Sequence, residues 1–191
     1  MIDDDVGVLG CFSKMDLGAG NEMIIDGHAY CFPPMDSSAG YATLEEKMRE
    51  VQRELGTHHQ PVWRVRDRAP SDNGVLVDAG TGQPKAIEWV RDELGRLVWN
   101  YDGEQYTKQY LPPSLVNLES TSDALIAEMD YAGVDMALLH TDPMLGRDSA
   151  YLGECVARFP DRLRSMAPVD EWRLPTEMDA VIAELETAIK E

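Results

Sequence analysis

From residue 122 to residue 189, short apolar runs alternate with amphipathic ones, a rhythm that few architectures accommodate. Leu125, Ile126, Met129 and Ala132 recur at helical spacing behind Ser122, a residue able to cap a helix, and Gly133 stops them. Residues 134–140 are too few for a helix and are flanked by turn signals, so they read as a buried parallel strand with His140, Thr141 and Asp142 at its end. A second helix carries Tyr151, Leu152, Cys155, Val156 and Phe159 and ends at Pro160. Residues 163–169 form the next strand, with Asp170 at its end. Pro175 opens a last helix whose apolar face is Met178, Val181, Ile182, Leu185 and Ile189. Helix, strand, helix, strand, helix implies an α/β fold with a parallel sheet.

An earlier strand belongs to the same sheet. Met23, Ile24 and Ile25 lead into Asp26, His28 and Tyr30, and Pro33-Pro34 breaks the run. Residues two apart share one face of a strand, so these three polar side chains point together towards the C-terminal mouth, where α/β sheets and barrels place their chemistry. Thr43 with Glu46 forms a capping-box pattern for a helix carrying Leu44, Met48, Val51 and Leu55, stopped by Gly56. His58 and His59 follow in a loop and read as solvent-facing residues rather than ligands. Residues 60–111 differ in character. The segments 61–66, 74–77, 87–91, 96–101 and 105–109 are short and β-branched or aromatic, and are separated by turns such as Asp72-Asn73-Gly74, Leu94-Gly95 and Asp102-Gly103. They predict an antiparallel β-meander inserted after the first strand. Trp63, Trp89, Trp99, Tyr101, Tyr106 and Tyr110 hold that sheet together or line an aromatic pocket beside the mouth.

Composition narrows the function. With 35 acidic against 17 basic residues and a net charge of −18, the surface is unsuited to nucleic acid or an anionic membrane. No apolar run approaches the ~20 residues that cross a bilayer. Asp3, Asp4 and Asp5 give the N-terminus the wrong charge for a targeting peptide, so a cytoplasmic protein is expected. Cys11, Cys31 and Cys155 are too few and too scattered for a disulfide framework; Cys155 reads as a small core residue, and a thiol enzyme using Cys31 with His28 is a weaker idea. Residues 1–22, with four glycines and no periodicity, read as an appended flexible tail, and Met23 as a plausible native start.

Several passages carry a resemblance. They are Asp26-Gly27-His28-Ala29-Tyr30, then Met129-Asp130-Tyr131-Ala132-Gly133-Val134-Asp135 before an apolar strand, and then Arg158-Phe159-Pro160-Asp161-Arg162-Leu163 followed by Met166-Ala167-Pro168-Val169-Asp170. In order and spacing, residues 23–191 resemble the N-terminal part of amidohydrolase-related, metal-dependent hydrolases of the TIM-barrel type. The resemblance implies a partial (β/α) barrel of the first three βα units. It implies hydrolysis of C–N or lactone bonds, or decarboxylation, of a small carboxylated or cyclic substrate, with one divalent metal, zinc or manganese. On this reading His28 and His140 are the metal ligands and Asp26 and Tyr30 the catalytic candidates, Tyr30 standing where the family has a second His. Asp161 and Arg162 would tie their turn together. Unpaired sheet edges suggest a truncated or inactive form, or a homo-oligomer. The alternative is a non-catalytic scaffold that binds a ligand or partner through the aromatic insertion.

Overall fold

The computed structural model describes residues 23–190; the expected tail at 1–22 lies outside the described residues. The first strand, β1 (Ile25–Ala29), is followed by α1 (Leu44–Thr57), whose N-cap Thr43 accepts the Glu46 amide at 3.1 Å. Then come β2 (Val62–Arg64), β3 (Pro70–Ser71), a 3-10 turn at Asn73–Val75, β4 (Trp89–Arg91), β5 (Leu97–Tyr101) and β6 (Glu104–Lys108). The α/β part continues with α2 (Ser122–Ala132), β7 (Met136–Leu139), α3 (Ser149–Arg158), β8 (Leu163–Ser165) and α4 (Leu174–Ala188). No described helix is long and apolar enough to cross a membrane.

Two sheets result. β1, β7 and β8 form a parallel sheet in that order, with Asp26 opposite Ala137 and Leu139 opposite Ser165. The parallel α/β expectation is met, but among the described residues no barrel closes: the sheet ends at β1 on one side and β8 on the other. Ala29, Ala137, Leu139 and Leu163 bury against Met129 of α2 and Leu152 and Cys155 of α3. Gly133, at φ 72°, caps α2 and turns the chain into β7.

The second sheet is antiparallel, in the order β3-β2-β6-β5-β4. Only β4, β5 and β6 are a true meander, because β2 returns to pair with β6. Asp102 (φ 49°) and Gly103 (φ 75°) both take positive φ and join β5 to β6 in the tight turn whose twist matches the strands. Its inner face carries Val62, Trp89, Leu97 and Trp99, which pack with Val51 and Leu55 of α1. Trp89 and Trp99 are 2% exposed, so they are core residues and not pocket walls; Trp63 is 40% exposed. The Trp89 indole donates to the Met48 carbonyl at 3.1 Å, whereas the Trp99 indole nitrogen is buried with no hydrogen-bond partner.

Several local expectations are corrected. Residues 74–77 are not a strand: the Asp72 carboxylate accepts the Gly74 amide at 2.7 Å, and the Leu76 and Val77 amides turn back to the Asn73 carbonyl. Side-chain capping outweighed β-propensity there, and Val75, Leu76 and Val77 bury against α1 instead. The cap of α2 is Thr121, accepting the Ala124 amide, rather than Ser122. Strand β8 stops at Ser165, short of the expected residue 169. Arg162 ties a more distant turn than expected, donating to the Asp135 and Val134 carbonyls and pairing with Asp130 at 2.8 Å.

The chain leaves and rejoins the parallel sheet at one place. Phe32 and Ser120 exchange backbone hydrogen bonds at 2.9 and 3.0 Å, and the Met35 amide donates to the Leu118 carbonyl at 2.9 Å. Helix α1 and the antiparallel sheet therefore form an excursion pinned at its neck.

Candidate functional site

The polar residues expected at the mouth of the parallel sheet divide into two groups. His28, Tyr30 and His140 meet. β1 and β7 are hydrogen-bonded neighbours, and the His140 amide donates to the Ala29 carbonyl at 2.9 Å, so the end of β7 lies beside the end of β1. The His28 and His140 rings lie 4.4 Å apart between centroids, and the Tyr30 ring is 5.1 Å from His28 and 6.3 Å from His140. Nε2 of His28 is 2.6 Å from the Tyr30 hydroxyl, the contact that i, i+2 spacing on one strand face permits. Nε2 of His140 lies 2.9 Å from the Gly27 carbonyl oxygen. A carbonyl can only accept, so His140 donates from Nε2 and, when neutral, keeps its lone pair on Nδ1.

The carboxylates do not join them directly. Asp26 Oδ1 accepts the His28 amide at 2.9 Å, bracing the backbone of the strand. Asp142 Oδ1 accepts the Met144 amide at 2.8 Å and the Leu145 amide at 3.4 Å, closing the turn after β7. Its charge still reaches the site. Burial, reinforced by the Asp142 charge, pushes the Tyr30 phenol above its ordinary pKa, so it keeps its proton at neutral pH.

Asp142 also acts on Tyr110, from the aromatic insertion, and on Lys47, which the sequence did not flag. Burial first, and then Asp142, Tyr30 and Glu54, raise the Tyr110 phenol. The ring of Tyr110 meets His58 edge-on at 4.9 Å, and His58 lies 4.3 Å from the His59 ring. Lys47 is fully buried and donates to the Pro143 carbonyl at 3.2 Å and to the Met144 carbonyl. Burial brings its ammonium down to about 8, against the opposing pull of Asp142 and Glu50. A signal for Lys47 existed: it precedes Val51 by four residues and so lies on the buried stripe of α1. Beside it, Tyr41, Glu50, Arg53, Glu54, Pro143 and Arg147 line a cavity of about 530 Å³.

Two imidazoles side by side suggest half of a metal centre. The rest is not assembled: no group of three or more His, Cys, Asp or Glu side chains among the described residues is placed to hold a metal ion. Nε2 of His140 is committed to a carbonyl, and the two nearby carboxylates are committed to backbone amides. These residues as arranged do not fit a complete zinc or manganese site, which takes three or four protein ligands or bound waters.

What the fold and site define is a mixed α/β protein with a histidine–tyrosine cluster at the C-terminal end of a short parallel sheet. No family model matches the chain, and no curated protein or solved structure matches it.

Proposed function

We propose that the cluster of His28, Tyr30 and His140 is the reaction centre of an amidohydrolase-related hydrolase or decarboxylase acting on a small carboxylated or cyclic molecule. The observation that carries this reading is the 2.6 Å contact between the His28 imidazole and a Tyr30 phenol that holds its proton, with a second imidazole 4.4 Å away on the neighbouring strand. A proton can pass through such a pair to or from a substrate atom placed over it, as general acid–base chemistry requires. His140, whose Nε2 is held by the Gly27 carbonyl, keeps its Nδ1 lone pair as a further acceptor when neutral. A zinc or manganese ion would need donors beyond His28 and His140.

The test is a turnover assay. The purified chain, with and without added zinc or manganese, is offered lactones, cyclic amides and unsaturated acids. Turnover that drops about 10²- to 10⁴-fold in His28→Ala and in Tyr30→Phe is expected. Turnover indifferent to both changes, or a substrate that binds without reacting in the wild type, sinks the enzymatic reading. The second outcome leaves a ligand-binding scaffold.

A further inference from the structure

Helix α4 carries an apolar stripe that the rest of the molecule barely covers. Val181 is buried at 2% exposure, but Met178, Ile182 and Ile189 are 57%, 45% and 70% exposed. An amphipathic helix ordinarily keeps its place by burying such a face against its neighbours. Here one side chain does so, and much of the remaining attachment is electrostatic.

That attachment centres on Arg173, which ends a short 3-10 turn at Glu171–Arg173 and directly precedes α4. Its Nη1 and Nη2 donate to the two carboxylate oxygens of Glu184 at 2.7 and 3.0 Å, a fork that reaches the second half of the helix. Nε and Nη2 donate to Glu177 at 3.1 and 2.8 Å, and Nη1 donates to Asp170 at 3.4 Å. Asp170 is itself buried and pairs with Arg147, on the loop after β7. One guanidinium thus links α4 to the body of the α/β part. Along a straight helix, residues as far apart as 173 and 184 would be separated by ~16 Å, beyond the combined reach of the two side chains. They meet because the helix breaks: Glu177 takes φ −137° and ψ 37°, outside the helical range. The turns beyond that break are too few to stay helical in water by themselves.

The far end of α4 walls two hollows. Glu184 and Ala188 line one of about 390 Å³ with Tyr41, Arg147 and Asp170. Ala188 and Ile189 line another of about 280 Å³ with Leu152 and Val156 of α3 and Met166 just past β8.

We infer that the part of α4 beyond Glu177 is a strap, latched by the fork from Arg173 to Glu184, that undocks at the break, unwinds and opens both hollows to solvent. Ionic strength sets its position. The Debye length falls from ~30 Å at 0.01 M salt to ~3 Å at 1 M, so an exposed ion pair weakens while apolar burial does not. A helix held by burial would not respond to salt in this way. The inference stands independently of the reaction proposed for the mouth.

The experiment follows hydrogen–deuterium exchange of the full-length chain by mass spectrometry in about 0.01 M and about 1 M sodium chloride, with peptides of α2 as the internal reference. Peptides within 178–189 should exchange faster than those of α2 and α3 even at low salt, because little of α4 is buried. In high salt they should accelerate a further three- to ten-fold, roughly, relative to α2. Glu184→Gln should produce that acceleration at low salt and lose most of the salt response. Asp179→Asn, which removes an exposed carboxylate of the same helix, should change neither. Exchange in α4 that is indifferent both to salt and to Glu184→Gln overturns the inference. So does an acceleration shared equally by α2 and α3, which would mean that salt loosens the whole fold.

Discussion

The Tyr30 hydroxyl and Nε2 of His28 stand 2.6 Å apart, making a residue of β1 and the residue just past its end a single proton-sharing unit. The phenol is held above its ordinary pKa of 10.0 by burial and by the Asp142 charge. A spectrophotometric titration of the wild type minus Tyr30→Phe should therefore show one tyrosinate forming above pH 10, and Asp142→Asn should move that transition down. The linkage runs in one direction. Below pH 10 both folded and unfolded chains hold the Tyr30 proton; above it the unfolded chain releases its proton first, so the stability Tyr30 contributes is lost as pH rises through its folded pKa. A transition at the ordinary value would show that neither burial nor Asp142 acts on this phenol.

Two lysines predict the opposite slope at lower pH. Lys47 and Lys108 are both 0% exposed. Lys108 donates to the Leu55 carbonyl at 2.6 Å, the His58 carbonyl at 3.1 Å and Asn73 Oδ1 at 3.1 Å, closing the C-terminal end of α1. Burial brings each from 10.5 to about 8. Between those values the unfolded chain is protonated and the folded lysine is not, so stability should rise from pH 8 towards pH 10. The rise amounts to about 1 to 3 kcal/mol for each lysine. Urea denaturation across that range should show a shallower slope in Lys47→Met than in the wild type. An identical slope would mean that Lys47 keeps its solution pKa.

Gly56 marks the tightest contact of α1. A Cβ at this position would lie 2.3 Å from Cγ1 and 2.6 Å from Cγ2 of Val77, which is itself buried. Gly56→Ala should cost about 1 to 3 kcal/mol, measured as a lowered urea midpoint. Val77→Ala placed in the same chain should recover part of that loss. Additive costs in the double variant would show that the two sites do not press on each other.

Much of this architecture was legible in the sequence because it rests on local chemistry. The Thr43–Glu46 cap, the Gly133 stop, the Asp102-Gly103 turn and the i, i+2 pairing of His28 with Tyr30 are each decided within a few residues. The association of His140 with His28 follows once β7 pairs with β1. What was not legible depends on distant partners. Asp26 and Asp142 spend their carboxylates on nearby amides rather than on a ligand set, and Tyr110 joins the Asp142 field from the end of the insertion. The strand expected at 74–77 failed because Asp72 offered a competing hydrogen bond and α1 offered a surface to bury against.

The neck formed by Phe32 and Ser120 also sets an order of assembly. Strand β1 cannot find β7 until the intervening chain has been gathered in, and closing so long a loop costs entropy before any parallel pairing repays it. The antiparallel pairs β5–β6 and β2–β6, with α1 laid across them, span shorter separations and can shorten that loop as they form. Amides of β5 and β6 should accordingly gain protection in pulsed hydrogen exchange before those of β7. The histidine–tyrosine cluster would then be among the last parts of the molecule to exist, coming together only when two stretches of chain that begin far apart are brought edge to edge.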